Sequence, residues 1–154
     1  MEMTVTEAKE AFVGLRRINE TVKLLPKSAW LIADILVKMR NTIQRIEDTE
    51  AKLMKDAGGV RTTDGGMSLQ NPVRTSEMTD DEFRKLIQQH SIKVTALTKD
   101  LEEIRSQMVV LDIKPIKRDV FSGQTAVHAT DLAAIWVLVE SEPKNDKTVT
   151  DEKD

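Results

Sequence analysis

The sequence predicts an all-α fold: an antiparallel, coiled-coil-like helical hairpin that packs with an N-terminal helix and a short C-terminal helix into a bundle. Two long segments repeat apolar residues in steps of four and three, the rhythm of a helical seam. One runs Ile32, Leu36, Met39, Ile43, Ile46, Glu50, Leu53, and the other Phe83, Ile87, His90, Val94, Leu97, Leu101, Ile104, Met108, Leu111. Aromatic residues make up only 3% of the chain and tyrosine is absent, whereas Leu, Ile, Val, Ala and Met are plentiful. That composition favours helical layers over a β-sandwich.

The N-terminal helix is expected over about residues 6–24. Thr4 and Glu7 stand at capping-box spacing, and Ala8, Ala11, Phe12, Leu15, Ile18, Val22 and Leu25 mark one face. Pro26 then turns the chain into a second helix over 27–56, which DAGGV closes with glycines at the C-terminal position. Residues 57–78 carry two Gly-Gly pairs and Asn71-Pro72, and read as a flexible loop without the Gly-Lys-Ser/Thr ending of a phosphate loop. Connections of that length are usually either functional or disordered, so it reads as a candidate partner-binding element or as a mobile tether. Thr79-Asp80-Asp81-Glu82 caps a third helix expected over 79–111. Pro115 forbids its continuation, and Ile113, Ile116, Val120 and Phe121 are placed to anchor an extended strap. Thr130-Asp131 opens a last helix over 130–140, with Leu132, Ile135, Trp136 and Val139 on its apolar face. Residues 1–140 thus read as a single helical domain, and the polar segment 141–154 as a disordered tail.

Each long seam holds one polar interruption, Glu50 and His90. Pairing the seams so that Ile32 faces Met108 and Ile43 faces Leu97 brings those two residues opposite each other. Burying a polar group without a partner costs about 1–3 kcal/mol. Glu50 and His90 are therefore read as a register-setting polar pair.

The chain of 154 residues has a formal net charge of −3, with 26 acidic and 23 basic side chains. A nucleic-acid partner is not expected from that balance. Cysteine is absent, which removes disulfides, thiolate catalysis and Cys-based metal sites. No basic region followed by an apolar core opens the sequence, and the most apolar run, 29–37, contains Asp34, so neither a signal peptide nor a membrane span is expected and the default setting is cytoplasmic. No Gly-x-Ser-x-Gly, His-Glu-x-x-His, Walker or dinucleotide fingerprint occurs. The acids of DDEF fill a helix first turn and those of DLEEI lie off the seam. The chain is accordingly read as no enzyme, with no cofactor and no metal. Arg16 and Arg17, and Lys117 and Arg118, form small basic patches suited to an anionic ligand, with Trp30 as a stacking or packing residue. The first half of the second helix is apolar nearly all round, through Trp30, Leu31, Ile35 and Val37, which calls for cover by a homo-oligomer.

The runs NETVKLLPKSAWLIADILVKMRNTIQRIEDTEAKLM, DEFRKLIQQHSIKVTALTKDLEEI, VVLDIKPIKRDVF and ATDLAAIWVLVE together resemble a family of small uncharacterised phage proteins: a Leu-Pro corner into a long helix, a polar loop, a second long helix, a strap and a short final helix. The resemblance implies an origin in phage or prophage and a host-cell setting, and carries over no site residues. With it, the expected function is a non-enzymatic binding protein that sequesters or inhibits a host defence component, a protein or a nucleotide signal, as a homo-oligomer. The alternative is a virion assembly or scaffolding accessory.

Overall fold

The computed structural model describes residues 1–121 and 127–140. The described residues are mostly helical, 65% helix and 9% strand, with two small two-stranded sheets beside the helices. A short strand β1 (Glu2–Thr4) runs straight into α1 (Val5–Thr21), and a corner at 22–25 leads to α2 (Pro26–Asp56). Within the following connection, β2 (Val60–Arg61) and β3 (Met67–Ser68) form a small antiparallel hairpin, so the segment expected to be a loop has structure of its own. Then come α3 (Asp80–Ser106), β4 (Met108–Val110) and, after the strap, α4 (Ala129–Ala134). Strands β1 and β4 pair antiparallel, with Met3 opposite Val109. The expected tail at 141–154 lies outside the described residues.

Local signals set most of these ends. The Thr4 hydroxyl accepts from the Glu7 N–H, and a Glu7 carboxylate oxygen accepts from the Thr4 N–H at 2.7 Å. Thr79 and Glu82 repeat the same reciprocal cap at the start of α3. α2 begins on Pro26 and ends where Gly58, at φ +87°, donates to the Lys55 carbonyl. A side chain rarely adopts that left-handed conformation, which is why glycine stands there.

One core joins α1, α2, the strap and the C-terminal segment. It contains Ala8, Ala11, Leu15 and Ile18 of α1; Ile32, Ile35, Met39, Ile43 and Ile46 of α2; Leu111, Ile113 and Ile116 of the strap; and Ile135 and Leu138. Strand β1 adds Met3, fully buried in the same core. The apolar stripe expected on α2 is thus present, but α1 shares its core, not a long seam on α3. Within α3 Leu97 alone is buried, and Ile87, Val94 and Met108 of the expected seam are exposed. A continuous coiled-coil seam between α2 and α3 is therefore not evident, although the two helices do pack and Ile104 of α3 lies against the core.

α3 also stops at Ser106 rather than near 111, because Gln107 turns to extended backbone and Met108–Val110 is claimed by β1. The closing helix is shorter than expected as well. It gives way after Ala134 to a 3₁₀ turn at Trp136–Leu138, and Ile116 donates to the Leu138 carbonyl at 2.7 Å while accepting from the Glu140 N–H at 3.0 Å. These bonds seat residues 138–140 against the strap.

α4 lies very close to α1. A Cβ built on Gly14 would stand 3.0 Å from both the Ala134 Cβ and the Ile135 Cγ2. Gly14→Leu is expected to push the C-terminal segment off α1 and to cost about 1–3 kcal/mol, read as a lower urea midpoint. In both capping boxes the threonine's backbone and hydroxyl hydrogen bonds hold the glutamate, Glu7 or Glu82, below the ordinary carboxyl value of 4.5. A lowered folded pKa adds stability above the unfolded value that is lost as pH falls through the folded one. Urea unfolding followed from neutral to acidic pH should show this loss below about 4.5, and Glu7→Gln with Glu82→Gln should flatten it.

Candidate functional site

Among the described residues, the strap and residues 136–140 build the most chemically suggestive surface. The 3₁₀ turn Arg118–Phe121 follows Pro115, and the turn Trp136–Leu138 lies beside it through the parallel bridge of Ile116 with Val139. Trp136 was expected on the apolar face of the last helix. The structure turns it outward instead, leaving it 60% exposed while Ile135 and Leu138 take the buried positions. The Arg118 guanidinium lies over its ring, 5.1 Å from the centroid, and donates to the Glu140 carbonyl at 3.4 Å. Next to the ring is an open groove of about 500 Å³ lined by Met1, Pro115, Trp136, Val137, Val139 and Glu140. Lys117, beside Arg118 in the chain, is exposed.

The other basic patch is engaged differently. Arg16 faces Glu20 at 3.7 Å on the surface of α1, and the Arg17 Nη1 lies 3.6 Å from the carboxylate of Asp131, a buried residue of α4. Arg17 and Asp131 border a second open groove, of about 540 Å³, with Lys9, Val13 and Gly14. The two arginines therefore meet acids that reduce their pull on an anion. Asp131, which reads in the sequence as a helix-start residue, is the partner that spacing alone did not identify.

Trp30 does not join either site. Ser28, two residues earlier, is buried and donates to the Val120 carbonyl at 3.2 Å, so it faces the strap. Two residues turn a helix by roughly 200°. Trp30 accordingly points to the other side of α2, 77% exposed.

The register pair of Glu50 and His90 is not formed. One Glu50 oxygen takes the Lys9 ammonium of α1 at 2.5 Å, and the other takes the Arg105 Nε of α3 at 3.3 Å. His90 precedes Arg105 by fifteen residues on the same helix, on the order of 22 Å along its axis. The polar interruption of the α2 seam is thus a junction of three helices. Both of its cations lie off the apolar rhythm from which the seams were read, which is why the seam register misassigned its partner.

Chemically, the Trp136 surface can stack a planar group and hold negative charge. Among the described residues no group of three or more His, Asp and Glu side chains is arranged to hold a metal ion, and no helix is long and apolar enough to cross a membrane. No protein-family model matches the chain, and no curated protein or solved structure matches it. Glu50→Gln is expected to lower stability by about 1–3 kcal/mol, since it leaves two cations facing a neutral amide in a half-buried junction. His90→Leu should stay within about 0.5 kcal/mol. Equal losses in chemical denaturation of the two variants would restore the seam pairing.

Proposed function

We propose that the protein is a non-enzymatic, phage-encoded binding protein that acts as a homo-oligomer and captures a small anionic ligand bearing a planar ring, the chemistry of a nucleotide signal, in the host cytoplasm. The observation that carries this reading is the Arg118 guanidinium stacked on the exposed Trp136 ring at the edge of a groove, with Lys117 alongside. A base would lie against the indole and the apolar wall of Pro115 and Val139, where stacking contributes roughly 1–3 kcal/mol per base. Its phosphate would meet Lys117, a flexible point charge, while Arg118 holds the indole it lies over. The phage setting is supported by the resemblance of layout alone. The homo-oligomer is supported by the apolar side chains exposed on the far side of α2, Trp30 and Val37.

A second reading, a virion assembly or scaffolding accessory, is favoured by α3. That helix exposes Ile87, Ile92 and Val94 along a length that buries little, as an adaptor helix awaiting a protein partner would. Titration calorimetry with mononucleotides and a cyclic dinucleotide separates the two. Binding that falls about fivefold to a hundredfold in Trp136→Ala and again in Lys117→Glu, with Arg16→Glu unaffected and the helical circular dichroism retained, is the expected result. No heat with any nucleotide from the folded protein, together with co-purification of a phage structural protein, would transfer the assignment to the adaptor.

A further inference from the structure

The β1–β4 ladder has one open side. The Leu111 N–H donates to the Met1 carbonyl at 2.8 Å and the Val5 N–H to the Gln107 carbonyl at 2.9 Å. With Met3 opposite Val109, these fix the alternation of the antiparallel pair: Gln107, Val109 and Leu111 exchange their backbone bonds with β1. The N–H and carbonyl groups of Met108 and Val110 must then point away from β1. On the opposite edge of the ladder, the outward Thr4 N–H is taken by the Glu7 carboxylate, so β1 is closed by its helix cap.

Edge strands are normally kept very short or blunted by a charge, a proline or a bulge. β4 is short, three residues, but reads Met-Val-Val, with neither a charge nor a proline. Its outward side chains are also bare, Met108 55% and Val110 77% exposed, whereas Val109 packs against the core. An apolar strand with free hydrogen-bonding groups is a template for another strand.

We infer that β4 pairs antiparallel with β4 of a second copy of this chain, extending the two strands into a four-stranded sheet across a two-fold axis at Val109. The strand is complementary to itself in that arrangement. Met108 of each copy faces Val110 of the other, and each such pair exchanges two hydrogen bonds through the outward groups, leaving none of the four N–H and carbonyl sets open. On the exposed face, Met108 and Val110 of the two copies form one continuous apolar strip. Arg105, the half-exposed cation at the end of α3 whose Nε meets Glu50, precedes the strand and Asp112 follows it, so antiparallel pairing brings the acidic end of each strand towards the outer side of the other copy's Arg105. A two-fold contact of this kind is isologous and closes at two subunits.

The inference rests on the homo-oligomer reading and adds to the exposed α2 residues a specific contact between copies at β4. Sedimentation velocity over a micromolar dilution series, combined with amide hydrogen exchange, tests it. The expected result is a dimer in which the Met108 and Val110 amides are slowed at high concentration and released on dilution, while the Val109 amide stays protected throughout. Val110→Lys places a charge on an exposed position, and Val110→Pro removes an outward N–H without touching the bonds to β1. Each should raise the dimer dissociation constant by at least about tenfold with unchanged circular dichroism. A dimer that persists in both variants overturns the β4 interface and leaves the oligomer intact on another surface. A wild-type chain that sediments as a monomer overturns both.

Discussion

The closeness with which α4 approaches α1 governs the arrangement of everything else. α1 is shared by nearly every other element: α2 along one side, the C-terminal segment along another, the strap and the β1–β4 ladder at its start. A helix surrounded in this way needs a small residue where a neighbour comes nearest; Gly14 occupies that place, and Ala8 and Ala11 are buried on the same helix. At Gly14 the α4 backbone comes close enough for the Asp131 carbonyl to stand 3.2 Å from where a Cβ would be. That proximity brings the Asp131 carboxylate within reach of Arg17, and it sets where the chain emerges to lay residues 138–140 along Ile116. The orientation of Trp136 follows from this chain of contacts, since Ile135 and Leu138 on either side of it point inward.

Much of this was legible from short-range chemistry. Both capping boxes, the Pro26 start, the glycine stop and the buried anchors Ile113 and Ile116 are set by residues within a few positions of one another, and sequence spacing reports them directly. Long-range pairing was not legible in the same way. An apolar stripe says which face of α2 is covered and nothing of what covers it; α1 and α3 both carried acceptable stripes, and the shorter helix, with its small residues, could come closer. The strand at Met108–Val110 continued the helical rhythm of α3 in the sequence, and only a partner arriving from residues 2–4 reveals it as extended.

Charge was the least legible feature, for a related reason. Glu50 looked like a seam residue because its nearest apolar neighbours lie at helical spacing, yet its partners come from residues 9 and 105. A carboxylate receiving two cations from different helices is a mutual arrangement of three elements and has no local signature. The candidate ligand surface behaves similarly. Lys117 and Arg118 stood out as a basic patch, but their value depends on Trp136 turning outward beside them, which the two 3₁₀ turns decide.

The protein has two tryptophans and no tyrosine, and both indoles stand in solvent, Trp30 on the far side of α2 and Trp136 under Arg118. Its ultraviolet emission therefore originates at the surface and not from the packed interior. Loss of the core changes the surroundings of these rings comparatively little, so emission is a poor gauge of whether the chain is folded. For the same reason it is a sensitive gauge of what settles on the outside, with one natural reporter on each of two separate faces.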